Sequence, residues 1–213
     1  MLFASKFTFS IIIPVYNAEK YLPQALASTE EYLQNGAEVI AVDNMSSDDS
    51  WKILCDFSVK HPACVKVFQH AGGMAGGARN KGLQHAEGDY VFFMDADDML
   101  APGALHSFYQ TALQEQADIA IGQFLSFKQN PPEFISDKTP KETVKIWDRK
   151  KFSLAEFFQL SQSYNVPWNK FIRRKLLTQH QLAFPEGMPH EDLPFISTVF
   201  VCARRVILYP GVT

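Results

Sequence analysis

At residues 88–98 the chain reads GDYVFFMDADD, and this stretch decides the fold. Residues 91–94 are continuously apolar, as expected of a strand that is covered on both faces of a sheet. The strand then ends in three carboxylates within four residues, Asp95, Asp97 and Asp98. Unpaired carboxylates are too costly to bury in an apolar core, so these three must lie where the strand leaves it. In open α/β sheets, ligands bind at that position, beyond the carboxyl ends of the strands.

The composition describes a globular chain. Its 213 residues, 46% of them hydrophobic, are enough for one domain with a substantial core. A formal net charge of −3 gives no electrostatic support for nucleic-acid binding. Cys55, Cys64 and Cys202 lack the spacing of a zinc site or a disulfide framework and indicate a reducing compartment. The apolar run at the start is broken by Pro14 and Asn17 and is too short to cross a membrane, so we expect a cytoplasmic protein.

Strand-like and helix-like segments alternate along the first half of the chain. Strands are predicted at 7–15, 38–42, 65–69, 88–94 and 119–127, and helices at 18–33, 48–59, 78–85 and 102–116. Ser47 or Asp48 is the expected N-cap of the second helix, and the glycine-rich residues 71–77 are expected to form a flexible loop. Such alternation implies a parallel sheet with right-handed crossovers.

The pattern changes after residue 127. A polar connection with several prolines leads to a predicted edge strand at 144–147 and a helix around 152–160. A second helix is predicted from just after Lys170 to about 179, a third from the acid pair at 191–192 to about 203, and a last short strand at 206–209. Residues 1–127 are thus typical of a nucleotide-binding sheet, and residues 128–213 are expected to cover it.

The three carboxylates have a structural and a functional interpretation. A single Asp after a strand is most often a turn or capping residue, but three in four positions repel one another unless a cation neutralises them. Hard oxygen ligands suit Mg²⁺ or Mn²⁺ that carries a phosphorylated ligand. Two enzyme classes use Asp-x-Asp in this way. In haloacid-dehalogenase-type phosphatases it ends the first strand, whereas nucleotide-sugar transferases place it after a later strand, and here three predicted strands precede it.

Two further stretches could face a nucleotide. Asp43 and Asn44 end the second strand, where a side-chain acceptor can meet the N3–H of uracil or a ribose hydroxyl, although Asp43 could equally cap the next helix. Residues 72–82 are rich in glycine but match neither the dinucleotide fingerprint nor a P-loop. They can bring backbone close to a ligand, with Arg79 at the start of a helix, or form a plain turn.

Two motifs in the second half are ambiguous by themselves. Glu191 and Asp192 begin a predicted helix and are well explained by its dipole, unless the fold brings them to the Asp95 cluster. Asn169 can cap the helix predicted to follow it. Trp168 is either a core residue or an aromatic platform for a sugar.

The order of these motifs resembles one family. Along the chain they are SIIIPVYN (10–17), VDNMSSD (42–48), GGARNKG (76–82), DADD (95–98), WNK (168–170) and ED (191–192). This series resembles the inverting glycosyltransferases of family 2, which have the GT-A fold. The resemblance implies an α/β fold with a mostly parallel central sheet flanked by helices, forming a single catalytic domain over 1–213. Residues 1–127 are its nucleotide-sugar half and residues 128–213 its acceptor half.

The resemblance also implies an activity: transfer of a hexose or N-acetylhexosamine from a nucleotide-diphosphate sugar, with a UDP-sugar expected, to an acceptor hydroxyl. The acceptor would be a glycan or a lipid-linked glycan in cell-surface polysaccharide or lipo-oligosaccharide synthesis. A lipid-linked acceptor would draw the protein to the inner face of the membrane as a peripheral protein.

Roles for individual residues follow from the same resemblance. The nucleotide sugar would be bound by Pro14, Tyr16, Asn17, Asp43, Asn44, Arg79, Asp95 and Ala96. Asp97 would be the main ligand of Mn²⁺ or Mg²⁺, with Asp95 nearer the ribose and the donor sugar and also a candidate ligand, and Asp98 in support. Asp192 would be the general base, with Glu191 as the alternative. The acceptor side would carry Trp168, Asn169 and Lys170.

Two departures from the family pattern leave alternatives open. Where the family usually has Asp-Asp-Gly-Ser after the second strand, Asn44 and Met45 replace the second Asp and the Gly. Asn44 keeps an acceptor for a uracil N3–H but lacks the charge. Family members also commonly continue well beyond the acid pair, whereas this chain ends at Thr213, so one expectation is a shortened chain. A weakly active or inactive nucleotide-sugar-binding module is therefore one alternative, and a phosphatase is another.

Overall fold

The computed structural model describes residues 6–125 and 144–212 and contains one mixed β-sheet among them. Its strands are β1 Phe7–Val15, β2 Glu38–Asp43, β3 Val65–Gln69, β4 Gly88–Phe93, β5 Ile119–Gln123, β6 Lys145–Asp148, β7 Lys170–Arg173 and β8 Arg205–Val212. The helices are α1 Leu22–Ala27, α2 Glu30–Gln34, α3 Ser50–Lys60, α4 Met74–His85, α5 Ala104–Gln114, α6 Leu154–Ser163, α7 Arg174–Gln179 and α8 Asp192–Cys202. The end of the predicted fifth strand and the proline-bearing connection after it lie outside the described residues.

The first four strands form the parallel part of the sheet, in the order β3-β2-β1-β4. Val15 pairs with Asp43, and Ile12 pairs with Phe93, so the carboxyl ends of β1, β2 and β4 meet at one edge. The backbone N–H of Met94 continues the ladder by donating to the carbonyl of Ile12, at 3.0 Å. This alignment brings Asp95 beside the end of β1, as the strand pattern predicts.

Both faces of the sheet are covered by apolar side chains. Along β4, Tyr90 and Phe92 lie in one core while Val91 and Phe93 lie in the other, and all four are essentially inaccessible to solvent. Burying an aromatic or aliphatic side chain of this size contributes roughly 1.5–3 kcal/mol, so the continuous apolar run stabilises both layers. The expectation of a strand covered on both faces is confirmed.

The second half of the sheet is mixed because β7 lies between β4 and β5 and is antiparallel to both. The prediction of a helix directly after Lys170 was wrong. Phe171 and Ile172 are buried in opposite cores, and this period of two matches a strand; the helix α7 starts only at Arg174. The predicted edge strand is confirmed as β6, which pairs only with β8 among the described strands.

The helix predicted at 18–33 is divided into α1 and α2. The hydroxyl groups of Ser28 and Thr29 donate to the carbonyls of Ala25 and Leu26, both at 2.7 Å. Such side-chain bonds to the preceding turn compete with the backbone ladder and bend helices. The single-helix prediction was therefore wrong at this point.

The glycine-rich stretch is mostly helical, contrary to the predicted flexible loop. Gly73 has a φ of 71°, a left-handed conformation that glycine adopts without strain, and α4 begins at the next residue. Gly76 and Gly77 belong to the first turns of that helix. The predicted N-cap of α3 also differs, because Asp49 occupies that position without a capping bond and Asp48 instead accepts from the N–H of Ser50 at 3.0 Å.

Candidate active site

A cleft of about 700 Å³ opens where the carboxyl ends of β1, β2 and β4 meet the start of α4. The residues that line it are Pro14, Val15, Tyr16, Asn17, Ala18, Tyr21, Asn44, Met74, Ala75, Ala78, Arg79, Asp95, Ala96 and Asp97. Seven of the eight residues predicted to bind a nucleotide sugar are in this set, together with Asp97. The remaining six lining residues were missed: Val15, Ala18, Tyr21, Met74, Ala75 and Ala78. Met74 and Ala75 were placed in a loop, so their position on α4 could not be foreseen.

Arg79 organises one end of the cleft, where Asp95 and Asp97 also line it. Glu191 and Asp192 are not among the lining residues but are bonded to Arg79. We call these five residues the carboxylate end. One terminal nitrogen of the guanidinium, Nη1, donates to Glu191 Oε1 at 2.8 Å and to Asp192 Oδ1 at 2.9 Å. The other, Nη2, donates to Asp95 Oδ1 at 2.9 Å. The Arg79 side chain is only 5% exposed, so these bonds are formed largely away from water. The fold thus brings the acid pair of α8 to the carboxylates after β4.

The charge of this end is strongly negative. Three carboxylates accept from one guanidinium, and Asp97 lines the same cleft, so negative charges outnumber positive ones when all four acids are ionised. Burial raises the pKa of Asp192 above its usual range, against the opposing effect of Arg79. A carboxylate whose pKa is raised takes up a proton more readily, which suits a general base.

Asp98 is partly buried and does not line the cleft. Burial, reinforced by the charges of Asp95 and Asp97, raises its pKa to about 7. Its supporting role at a metal site stays a prediction.

The donor atoms at this end fit a divalent cation that shares its coordination with a ligand. Asp97 is exposed to the cleft, and the Asp95 side chain is 34% exposed, with one oxygen bonded to Arg79. Within residues 6–125 and 144–212, no three His, Cys, Asp or Glu side chains are grouped so as to hold a metal by themselves. Mg²⁺ and Mn²⁺ sites of one or two carboxylates are completed by phosphate oxygens and water, and Asp95 and Asp97 match that donor set.

The opposite end of the cleft is formed by Tyr16, Asn17 and Asn44. We call it the base end, after the nucleobase that the sequence predicts there; the candidate general base, Asp192, belongs to the carboxylate end. In the orientation that satisfies its neighbours, the amide NH₂ of Asn44 donates to the carbonyls of His70 at 3.0 Å and Gly72 at 3.1 Å. Its Oδ1 is therefore the atom left to accept a bond from a ligand. Tyr16 is 64% exposed and forms part of the cleft wall.

Asn17 and Asp43 hold the loops of the base end together. Asn17 Oδ1 accepts from the N–H of Ser47 at 2.8 Å, which joins the loop after β1 to the loop after β2. Asp43 is buried and accepts from the N–H of Ser46 at 3.2 Å and from Gln69 Nε2 at 3.3 Å. Asp43 does not line the cleft. Its observed contacts join the loop after β2 to β3.

The predicted acceptor-side residues are mostly inside the protein. Asn169 Nδ2 donates to the carbonyl of Gly122 at 3.2 Å, so Asn169 does not cap a helix as predicted. Lys170 is fully buried and donates to Asn169 Oδ1 at 2.7 Å and to the carbonyl of Val166 at 2.5 Å. Burial lowers the pKa of Lys170 to about 7, although the charge of Asp192 opposes that shift. Of the three, Trp168 alone is partly exposed. Its ring packs edge-on against that of Phe124, with the two ring centroids 4.6 Å apart.

A family comparison identifies the chain. The model of Glycosyl transferase family 2 matches residues 10–180, which include the strand-end carboxylates and every residue that lines the cleft. The chain belongs to glycosyl transferase family 2. Its sheet and helices form the GT-A fold, which the motif order also implied.

Curated glycosyltransferases are similar over nearly the whole chain. Glycosyltransferase GlyA of Streptococcus pneumoniae is 29% identical over 93% of the chain, and the match covers 29% of that protein. GlyG of the same organism is 25% identical over 93% of the chain, which covers 66% of that protein. The chain thus spans less than two thirds of the length of these relatives.

Solved structures of Staphylococcus aureus TarS share the fold. Residues 1–349 of Staphylococcus aureus TarS in complex with UDP superpose with a TM-score of 0.79 at 25% identity, covering 96% of this chain and 58% of that one. The complex of the same protein with UDP-GlcNAc gives a TM-score of 0.78, also at 25% identity, over 96% of this chain and 56% of that one. In the part of the chain that the structure describes, no helix is both long and apolar enough to cross a membrane.

Proposed function

We propose that this family 2 chain transfers a hexose or N-acetylhexosamine from a UDP-sugar to an acceptor hydroxyl, with inversion at the anomeric carbon. The observation that carries the proposal is the joining of Asp95 to Glu191 and Asp192 through Arg79, at the end of a cleft of nucleotide size. A pure binding module has no need of an acid pair at that end. The UDP and UDP-GlcNAc complexes of TarS support the choice of donor.

The base end accounts for recognition of the nucleoside. Because the Asn44 NH₂ is already bonded to two backbone carbonyls, Asn44 can only accept a bond from the base, as an aspartate would. An acceptor at this place matches the N3–H of uracil and disfavours cytosine, whose N3 carries no hydrogen. The replacement of the usual aspartate by Asn44 therefore keeps uridine recognition, and Tyr16 offers a ring on which the base can stack.

The carboxylate end accounts for the diphosphate and the chemistry. Asp97 and Asp95 would hold Mn²⁺ or Mg²⁺, which when bound supplies positive charge next to the leaving diphosphate. Arg79 adds a fixed cation in the cleft wall, and Ala96 lets the diphosphate approach the backbone between the two carboxylates.

Asp192 is the proposed general base, and Glu191 the alternative. The acceptor oxygen attacks the anomeric carbon, and the bond from that carbon to the diphosphate oxygen breaks with its electron pair retained by UDP. The hydroxyl proton passes to the Asp192 carboxylate. A single displacement of this kind inverts the anomeric configuration. Glu191 is the less suitable base because its side chain is only 11% exposed, against 30% for Asp192.

The acceptor class rests on the relatives. Poly(ribitol-phosphate) β-glucosyltransferase of Bacillus spizizenii is 26% identical over 92% of the chain, which covers 30% of that protein. We propose a surface polysaccharide or lipid-linked glycan as the acceptor. Reaction with a lipid-linked acceptor would occur at the inner face of the membrane, with the protein bound peripherally.

Calorimetry and transfer assays with a panel of UDP-sugars, with and without Mn²⁺, test the proposal. Wild type is expected to bind UDP only with the metal present, and Asp97→Ala to lose that binding, whereas Asp56→Ala on the exposed side of α3 should bind like wild type. Asp192→Asn should keep UDP affinity and lose roughly 10²- to 10⁴-fold in transfer rate. Absence of UDP binding by wild type would refute the proposal. Binding without transfer or donor hydrolysis would instead assign the chain as a binding module.

A further inference from the structure

Asn80 follows Arg79 on α4 but does not line the cleft, and its side chain is bonded to a distant part of the chain. Its Oδ1 accepts from the N–H of Phe184 at 2.8 Å, and its Nδ2 donates to the carbonyl of Phe184 at 2.9 Å. Both backbone groups of one residue are thus held by one side-chain amide. Nδ2 also donates to Glu186 Oε1 at 2.9 Å. We call residues 184–191, which end at the acid pair, the acid segment.

The start of the acid segment is also packed tightly against α4 and Arg79. A methyl group at Gly76 would lie 2.7 Å from the carbonyl oxygen of Pro185 and 3.1 Å from Cγ of Glu191, so the helix and the segment are in direct contact there. The Phe184 ring stacks on the Phe195 ring, with centroids 3.7 Å apart. The guanidinium carbon of Arg79 lies 5.3 Å from the centroid of the Phe184 ring. The position of Phe184 therefore affects both Arg79 and α8, the helix that begins with Asp192.

The middle of the acid segment is held much less. Residues 186–190 are exposed, and Gly187 and His190 have φ values of 70° and 59°. Its two ends are fixed on consecutive residues of α4, by Asn80 at Phe184 and by Arg79 at Glu191 and Asp192. Arg79 can release its carboxylates to a ligand, whereas the bonds of Asn80 to Phe184 join neutral groups away from the cleft.

We propose that Asn80 is a positioning residue: it holds the acid segment on α4 and so sets the place of Asp192 relative to Arg79 and Asp95. The role in catalysis rests on the function proposed above, whereas the hold on the segment does not. Loss of both Phe184 bonds leaves the start of the segment held by packing alone, and we expect this to loosen the segment and displace the base without a change in the residues that line the cleft. Displacement of a catalytic group by about 1 Å can cost 10²-fold in rate.

Three variants test this inference by hydrogen exchange, UDP affinity with Mn²⁺, and transfer rate. Asn80→Ala is expected to speed amide exchange in the peptide that covers 184–191, to leave UDP affinity within about twofold, and to lower the transfer rate about 10- to 100-fold. Glu186→Ala removes only the exposed third partner and should behave like wild type. Asn80→Asp keeps the acceptor for the Phe184 N–H and should give an intermediate loss, which provides a result even if Asn80→Ala folds poorly.

Asp118→Ala is the matched control for general destabilisation. Asp118 accepts from the backbone N–H groups of Arg204 and Arg205 far from the cleft, at 2.7 and 3.1 Å. Its loss should lower stability without changing exchange in 184–191. Unchanged exchange in Asn80→Ala would overturn the inference, and so would faster exchange with an unchanged transfer rate. If wild type itself transfers no sugar, the proposed function fails, and the exchange result alone decides whether Asn80 holds the segment.

Discussion

The two ends of the cleft are built in different ways. The carboxylate end joins α4, the loop after β4 and α8 through an ion-pair cluster between residues up to 113 positions apart, around an almost fully buried guanidinium. The base end consists of loops whose cleft-facing residues are exposed, joined by separate hydrogen bonds of Asn17, Asn44 and the buried Asp43, with no ion pair among these three. Charge in a buried cluster is costly to leave unpaired, whereas exposed loops lose little when one contact is removed. Catalysis and folding should therefore be coupled at the first end and separable at the second.

Replacement of Arg79 by Met should have the largest effect. It leaves Glu191, Asp192 and Asp95 without their shared cation, and breaking a buried ion pair costs about 3–5 kcal/mol. Because Asp95 and Asp192 are about one third exposed, we expect the lower part of that range, with loss of transfer activity. Urea unfolding measures the free energy, and Arg204→Met, at an exposed position, is the control. A variant as stable as wild type would remove the contrast between the two ends.

Lys170, whose pKa responds to the charge of Asp192, gives a pH-dependent test of stability next to the carboxylate end. Its folded pKa is lowered to about 7 by burial, against 10.5 in the unfolded chain, so the unfolded state binds more protons between these values. The contribution of Lys170 to the free energy of unfolding therefore rises as the pH rises through this window and is flat below about 7.

Lys170→Met should remove that dependence. The difference in melting temperature between wild type and Lys170→Met should grow in favour of wild type from about pH 7 to about pH 9. Lys175→Met, at an exposed position on α7, should show no such trend. A difference that is constant with pH would mean that Lys170 keeps its charge in the folded protein.

Tyr16 should give the smallest change. Its ring is 64% exposed, so Tyr16→Ala should leave the free energy of unfolding within about 0.5 kcal/mol. Loss of base stacking, worth about 1 kcal/mol at the low end of its range, should weaken UDP binding about fivefold with little change in the transfer rate at saturating donor. Thermal melts and calorimetry of one preparation measure both. A large loss of stability would show that the base end is not separable from folding.

Local sequence patterns were sufficient to predict most of the strands and helices in the first half of the chain. The apolar run of β4 and the carboxylates after it predict both the strand and its ligand-binding end, because buried strands and clustered charge each have a direct physical signature. The alternation of strands and helices predicts the parallel part of the sheet for the same reason.

The contacts of Arg79, Asn80 and Lys170 could not be predicted from local patterns. Each depends on which elements the chain brings together across the sheet, and β7, with only four residues, is too short for its period to identify it as a strand. Gly76 and Gly77 led to the wrong prediction of a loop for a related reason, because their contacts lie elsewhere in the chain. Glycine usually indicates a loop, but in α4 the absence of a side chain permits close packing against Pro185 and His70, which lie elsewhere in the chain.

The contact of Gly76 with Pro185 limits how parts of this chain could be exchanged with those of a relative. The first half of the chain carries α4, and the second half carries the segment that fits against it with no space for a methyl group at position 76. A hybrid of residues 1–127 of this chain with the second half of a relative would place a foreign segment on that surface. We expect such a hybrid to fold well only where the foreign segment leaves the same clearance for α4, so the two halves of this chain are better regarded as fitted to each other than as interchangeable modules.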